Sequence, residues 1–202
     1  VTIPIFVFSF LSNYLINSSK YTLDFYESAD IQNIFGIILM PGTIMSLCAM
    51  YIINPYLLEL KNSYKDKKFD LFKSRLYKIL GFIILLGILA LIGGYVIGIP
   101  VLNFIYGLDL NEYKIDLLLI IVGAVGLAIV TILSNALTIF NKNNIQMCLY
   151  IINSIISFVM AIFLVKNYGI LGATLTYLII MVLESIEYFI IYNFYYKLEV
   201  KK

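Results

Sequence analysis

The stretch LYKILGFIILLGILALIGGYVIGI, Leu76 to Ile99, carries no charge beyond Lys78 and is built almost wholly from Ile, Leu, Gly and Val. A helix rises about 1.5 Å per residue, so about 20 such residues cross the roughly 30 Å of hydrocarbon in a bilayer. A water-soluble helix of this length would need a polar face, and this one has none. Working outward, five further apolar runs of comparable length stand in the chain: Val1 to Tyr26, Ile31 to Ile53, Ile115 to Phe140, Ile145 to Val165 and Ile170 to Tyr192. The pattern predicts an all-α fold, a polytopic membrane helix bundle with six transmembrane helices. The whole composition agrees, with 62% hydrophobic and 13% charged residues among 202 and a mean hydropathy of +0.97.

The charges orient the spans. Between the second and third lies a basic connection, Asn54 to Arg75, holding Lys61, Lys65, Lys67, Lys68, Lys73 and Arg75, with Lys78 just beyond. By the positive-inside rule it is cytoplasmic. Parity then puts Lys142, Lys197, Lys201 and Lys202 on the same side, and only Lys20, Lys114 and Lys166 of the fourteen basic residues stay outside. Both termini are therefore expected in the cytoplasm. Leu57, Leu60, Tyr64, Phe72 and Leu76 recur at helical intervals among the loop lysines, as in a helix lying on the anionic inner leaflet, or else the loop is simply solvated. A net charge of +2 without a basic domain gives no sign of nucleic-acid binding. With no histidine and no nucleotide-binding loop, no metal or cofactor is expected. Cys48 and Cys148 lie inside apolar runs, where packing as small hydrophobes is the simpler reading. The chain opens on Val1 with no basic region ahead of its first apolar run, so a start within a longer protein reads better than a signal peptide.

Polar residues inside the spans mark candidate sites, because an unpaired polar group in hydrocarbon costs several kcal/mol. Ser9, Asn13, Asn17, Lys20 and Asp24 succeed one another at spacings of four, four, three and four, sharing one helical face that should line a cavity. Lys20 suits a phosphate or diphosphate as a compact positive charge, or else it has reached the outer headgroups. Thr131, Asn135, Thr138 and Asn141 draw a milder stripe on the fourth span, and Pro41-Gly42 interrupts the second, by a cavity or by a packing kink. Gly94 and Gly98 form a GxxxG pattern for helix association. In the last span Glu184 and Glu187 continue a face with Thr174, Tyr177 and Met181, making a proton or sodium coupling site unless inner lysines solvate the pair.

Three segments carry a family resemblance: Asn54-Pro55 ahead of the basic stretch to Phe72, Pro100 to Gly107 (PVLNFIYG) after the third span, and Tyr168 to Ala173 (YGILGA) entering the last. In order and spacing they resemble the oligosaccharide flippases of the MATE/MOP superfamily, the Wzx-like exporters of O-antigen and capsule repeat units, over nearly the whole chain. The resemblance implies two six-helix lobes around a central cavity, this chain being the C-terminal lobe and its first span the seventh helix of the transporter. The N-terminal lobe is then absent. In that family the seventh helix often carries an Arg-Tyr pair after a proline, and Lys20-Tyr21 after Ser19 stands at the matching place, without the guanidinium or the proline. The resemblance further implies alternating access in a bacterial cytoplasmic membrane. Undecaprenyl-diphosphate-linked oligosaccharide is the implied cargo, membrane lipids and a polysaccharide polymerase are further implied partners, and no covalent chemistry is expected. A lipid II flippase or a drug and cation antiporter shares the architecture. A membrane enzyme of polysaccharide assembly fits less well, since neither a large outer loop nor a catalytic His-Asp pair is present.

Overall fold

The computed structural model describes residues 2–201, with side chains from residue 6 onward. Val1 and Lys202, which belong to the first expected span and the basic tail, lie outside the described residues. All regular structure among the described residues is helical: α1 (Thr2–Tyr26), α2 (Ala29–Lys65), α3 (Phe69–Gly93), α4 (Ile99–Tyr106), α5 (Lys114–Ile139) and α6 (Asn143–Val200), with a π-helical turn at Gly94–Gly98 and a 3-10 turn at Asn111–Tyr113.

Four stretches are long and apolar enough to cross a membrane among the described residues: Ala29–Lys65, Phe69–Tyr106, Asn111–Ile139 and Asn143–Val200. The count differs from six at α1 and at α6. The polar stripe on α1 dilutes its apolar run, and the last two expected spans are joined in one helical element that breaks only at Gly169, where φ is +54° and ψ is −127°. That backbone conformation favours glycine. The break is a reversal of direction. The Asn153 side chain donates to Glu187, thirty-four positions on, at 2.7 Å. The rings of Tyr150 and Tyr188 stand 5.9 Å apart, and Lys142 reaches Glu199 at 4.0 Å. All three pairs are centred near residue 170, so arms 143–168 and 170–200 run antiparallel. Their closest approach needs Gly172, since a Cβ there would overlap the carbonyl of Leu164.

α5 is the central helix, packing against α2, α3 and α6 and burying Leu117, Ile120, Ala124, Ala128, Leu133 and Leu137. Gly94 and Gly98 let α3 and the π-turn approach it, since added Cβ atoms would meet Ile121 at 2.5 Å and Leu117 at 2.7 Å, so the GxxxG pattern marks a real helix contact. α2 runs through Pro41-Gly42 without a break, and Gly42 admits Ile120 of α5, whose Cγ2 would lie 2.9 Å from a Cβ. The pair is a packing device. On the outside, Phe82, Leu85, Ile88, Leu89, Ile92 and Val96 of α3 and the π-turn are exposed together. An apolar face this continuous suits lipid rather than water. Cys48 and Cys148 are free and exposed on the outer surface rather than packed inside.

The basic stretch 54–75 is helix on both sides of a turn at 66–68, with Lys67 at φ +58°. Its apolar residues do not lie along a leaflet. Leu60, Phe72 and Leu76 are buried in the core, with Leu57 and Tyr64 packed against it. Tyr64 and Phe72 meet Phe140, at 5.2 and 5.3 Å between ring centres, and the Tyr64 hydroxyl donates to Glu199 at 2.9 Å. These contacts close the basic end of the bundle.

The tight crossing within the hairpin has a measurable effect on stability. Gly172→Leu should lower the free energy of unfolding by about 3 kcal/mol or more, as overpacking against backbone does. Gly36→Ala, where a Cβ meets nothing within 4 Å, should change it by less than about 1 kcal/mol. Helical circular dichroism during titration of micelles with denaturing detergent reads both, and equal effects would contradict the crossing.

Candidate functional site: a buried polar cluster

The two arms of α6 bring together polar side chains that the sequence spaces along one face of each. Gln146, Tyr150, Asn153 and Ser157 recur at four, three and four on the first arm, and Tyr177, Met181, Glu184 and Tyr188 at four, three and four on the second; all eight are buried. Asn153 is fully buried, and its amide donates to Glu187. Ser157 shares a 2.6 Å hydrogen bond with Ser18 of α1. Towards the basic end, Gln146 accepts from Ser134 at 2.5 Å and donates to Thr138 at 3.0 Å, both on α5. The cluster thus joins three helices.

Its middle is under-satisfied. Glu184 is 1% exposed, and its Oε1 has no hydrogen-bond partner among the described residues, as is true of Asn153 Oδ1, Ser154 Oγ and the Tyr188 hydroxyl. Asn153, Glu187 and the hydroxyls of Tyr150 and Tyr188 lie close enough to interact with Glu184. Buried polar atoms are usually paired with protein or ordered water, so these open atoms mark the cluster as the candidate site. The carboxylate and amide oxygens are acceptors, and no lysine or arginine forms an ion pair with Glu184 or Glu187 among the described residues. A proton or a small monovalent cation satisfies such a set; an anion does not. No group of three or more metal-ligating side chains comes together among the described residues.

The two expected carboxylates therefore meet polar partners inside the bundle. Glu184 is enclosed, whereas Glu187 is half-buried and held by Asn153. Thr174, Tyr177 and Met181 are buried along the same face. The α1 stripe has another fate. Ser9, Asn13 and Asp24 are exposed and Asn17 and Lys20 half-buried, while Leu15, Ser18, Ser19 and Leu23 on the other side of α1 are buried. Asn13 and Asn17 donate back to the carbonyls of Ser9 and Asn13, at 3.1 and 2.9 Å. Lys20 and Asp24 form no ion pair among the described residues. On α5, Thr131 and Asn135 are half-buried and also bond back, to the carbonyls of Leu127 and Thr131, each at 2.9 Å. Thr138 accepts from Gln146, and Asn141 closes the helix at φ +59°. No hydrogen bond or ion pair links the α1 stripe to Thr131 or Asn135 among the described residues.

Sequence reasoning missed Gln146, Asn153, Ser154 and Ser157, although polar residues at helical spacing within the fifth apolar run carried the signal. Ser18 was hidden because its neighbours in the stripe point the other way. No family model, no curated protein and no solved structure matches the chain.

The Asn153–Glu187 bond lends itself to a double-mutant cycle. With Asn153→Ala, Glu187→Ala and the pair, the coupling free energy in the same unfolding titration should be about 1.5–3 kcal/mol, the range for a hydrogen bond to a charged group. A coupling near zero would mean that the two arms are not held there.

Proposed function

We propose that the chain is the C-terminal six-helix lobe of a twelve-helix transporter of the MATE/MOP superfamily, flipping undecaprenyl-diphosphate-linked oligosaccharide repeat units across a bacterial cytoplasmic membrane. One observation carries the reading: the Ser9 to Asp24 face of α1 is polar yet turned away from the packed side of the helix. In a membrane such a face requires water or a second protein surface. An N-terminal lobe across an aqueous cavity supplies both. Six passes result if α1 and each arm of α6 cross separately, and arms 143–168 and 170–200 both exceed the roughly 20 residues that a crossing needs. The basic ends of α2, α5 and α6 then share the cytoplasmic side, with both termini.

Within this proposal Lys20, half-buried and without an ion-pair partner among the described residues, attracts the diphosphate as a point charge. Asn13, Asn17, Asp24, Thr131 and Asn135 offer the sugars hydrogen bonds along the cavity wall. The isoprenoid tail stays in lipid while the lobes rock, and no covalent bond is made or broken. Glu184, with Glu187 beside it, takes up and releases the proton or sodium ion that drives the cycle. That enclosed carboxylate also favours a second reading, an ion-coupled drug or cation antiporter of the same architecture, with a lipid II flippase as a nearer variant.

In cells carrying the complete transporter, Lys20→Ala should lower export of lipid-linked repeat units about tenfold or more, as expected for losing a charge-assisted contact. Export carried on by Glu184→Gln with Glu187→Gln should no longer depend on the ion gradient. Undiminished export in the first variant would remove Lys20 from the mechanism, and retained gradient dependence in the second would remove the carboxylates. Orientation has its own readout. With Cys48→Ala and Cys148→Ala as background, a thiol placed by Lys67→Cys should resist an impermeant maleimide in intact cells and react after permeabilisation; labelling from outside would overturn the topology.

A further inference from the structure

Where α2 and α3 leave the apolar span for the basic turn, they part to form a groove of about 750 Å³, within the range of built small-molecule sites. One wall is apolar, formed by Ile52, Ile79, Phe82 and Leu85; the end nearer the turn holds Arg75 and Lys78. The groove is open because Gly81 lies in it, and a Cβ there would meet nothing within 4 Å.

The charged end is arranged rather than scattered. Arg75 is held by Nη1 bonds to the Glu59 carbonyl at 3.1 Å and the Ser63 hydroxyl at 2.8 Å, and its Nε lies 3.4 Å from the Glu59 carboxylate. Those contacts fix the guanidinium, and its Nη2 makes no hydrogen bond to the described residues. Lys78 is exposed and has no ion pair among the described residues. With Glu59 offset by Arg75, the groove keeps one uncompensated positive charge beside two free guanidinium donors.

A phosphate at one end and a hydrocarbon chain along the wall describe one kind of ligand. We infer that this groove binds an anionic phospholipid, its phosphate on Lys78 and Arg75 and one acyl chain along Ile79, Phe82 and Leu85. The site is separate from the α1 stripe and from the Glu184 cluster, and it holds whichever cargo the chain moves. The occupant is a bilayer lipid because the wall belongs to the surface that meets hydrocarbon, while the basic end sits where headgroups lie.

Native mass spectrometry of the chain in detergent micelles, titrated with equimolar phosphatidylglycerol and phosphatidylcholine, tests the inference. Phosphatidylglycerol adducts should survive activation about tenfold more than phosphatidylcholine adducts. Lys78→Glu should abolish that preference. Gly81→Trp should reduce retention of both lipids by filling the groove where a side chain meets open space. Lys61→Glu, which changes an exposed lysine outside the groove by the same charge, should leave the preference intact. Equal retention of the two lipids by the wild-type chain, an unaltered preference in Lys78→Glu, unaltered retention in Gly81→Trp, or a loss in Lys61→Glu matching that in Lys78→Glu would each overturn the site.

Discussion

Hydrocarbon offers no hydrogen bonds, and a polar group carried into it unpaired costs several kcal/mol. Helices settle the backbone side of this constraint, and this chain extends the same solution to its side chains. Thr22, Thr43, Ser46, Ser63, Thr176 and Asn193 each donate to the carbonyl four residues earlier, as Asn13, Asn17, Thr131 and Asn135 do. A polar residue that closes its own bond in this way can stand on almost any face of a buried helix. Polarity alone therefore does not locate a site. Local bonding leaves Glu184, Asn153, Ser154 and Tyr188 open, as it does Ser19, Asp116, Thr174 and Tyr192, and only the first four surround the carboxylate pair on α6.

The enclosure of those residues depends on the α6 hairpin. Gly169 turns the chain and Gly172 lets the arms touch; without both, the first-arm and second-arm faces would lie far apart along one rod instead of across from each other. α5 closes one side of the pair. Gly126 admits the Met181 carbonyl to within 2.9 Å of where a Cβ would stand, and Gly123 admits the Tyr177 ring at 2.6 Å. Glycines also stand at close approaches elsewhere along α5, at Gly42, Gly87, Gly94 and Gly98.

Run length and charge asymmetry made the helices legible in the sequence, because crossing a bilayer is a one-dimensional requirement that composition satisfies locally. The partnership between Glu187 and Asn153 was not legible, since it depends on where a thirty-four-residue loop of chain closes. The Glu184–Glu187 spacing was readable; the orphaned oxygens around it were not. At 54–75 the reading failed for a different reason. Lysines every few residues signal an exposed connection, yet Leu60, Phe72 and Leu76 at intervening positions bury a stripe against the core while the lysines stay out. Long basic side chains decorate a packed helix as readily as a loop. The segments behind the family resemblance also have local work. Gly107 caps α4 at φ +66°, and Asn103 catches the amide of Leu110 at 2.9 Å; Tyr168 to Ala173 is the α6 reversal. They record where a helical chain must turn.

α1 is where the two polar regions meet in one element, on opposite faces. Ser18 looks inward to Ser157, two residues before Lys20 in the outward stripe. The inward face is secured by Leu15 and Leu23, both fully buried, and by a hydroxyl pair of the kind that contributes only about 1 kcal/mol net. Apolar side chains and hydroxyl contacts dock α1 along an extensive interface with α6, and no ion pair ties it there among the described residues. Any shift of α1 moves the Lys20 stripe and the Ser18–Ser157 contact together, because both ride on the same rigid helix.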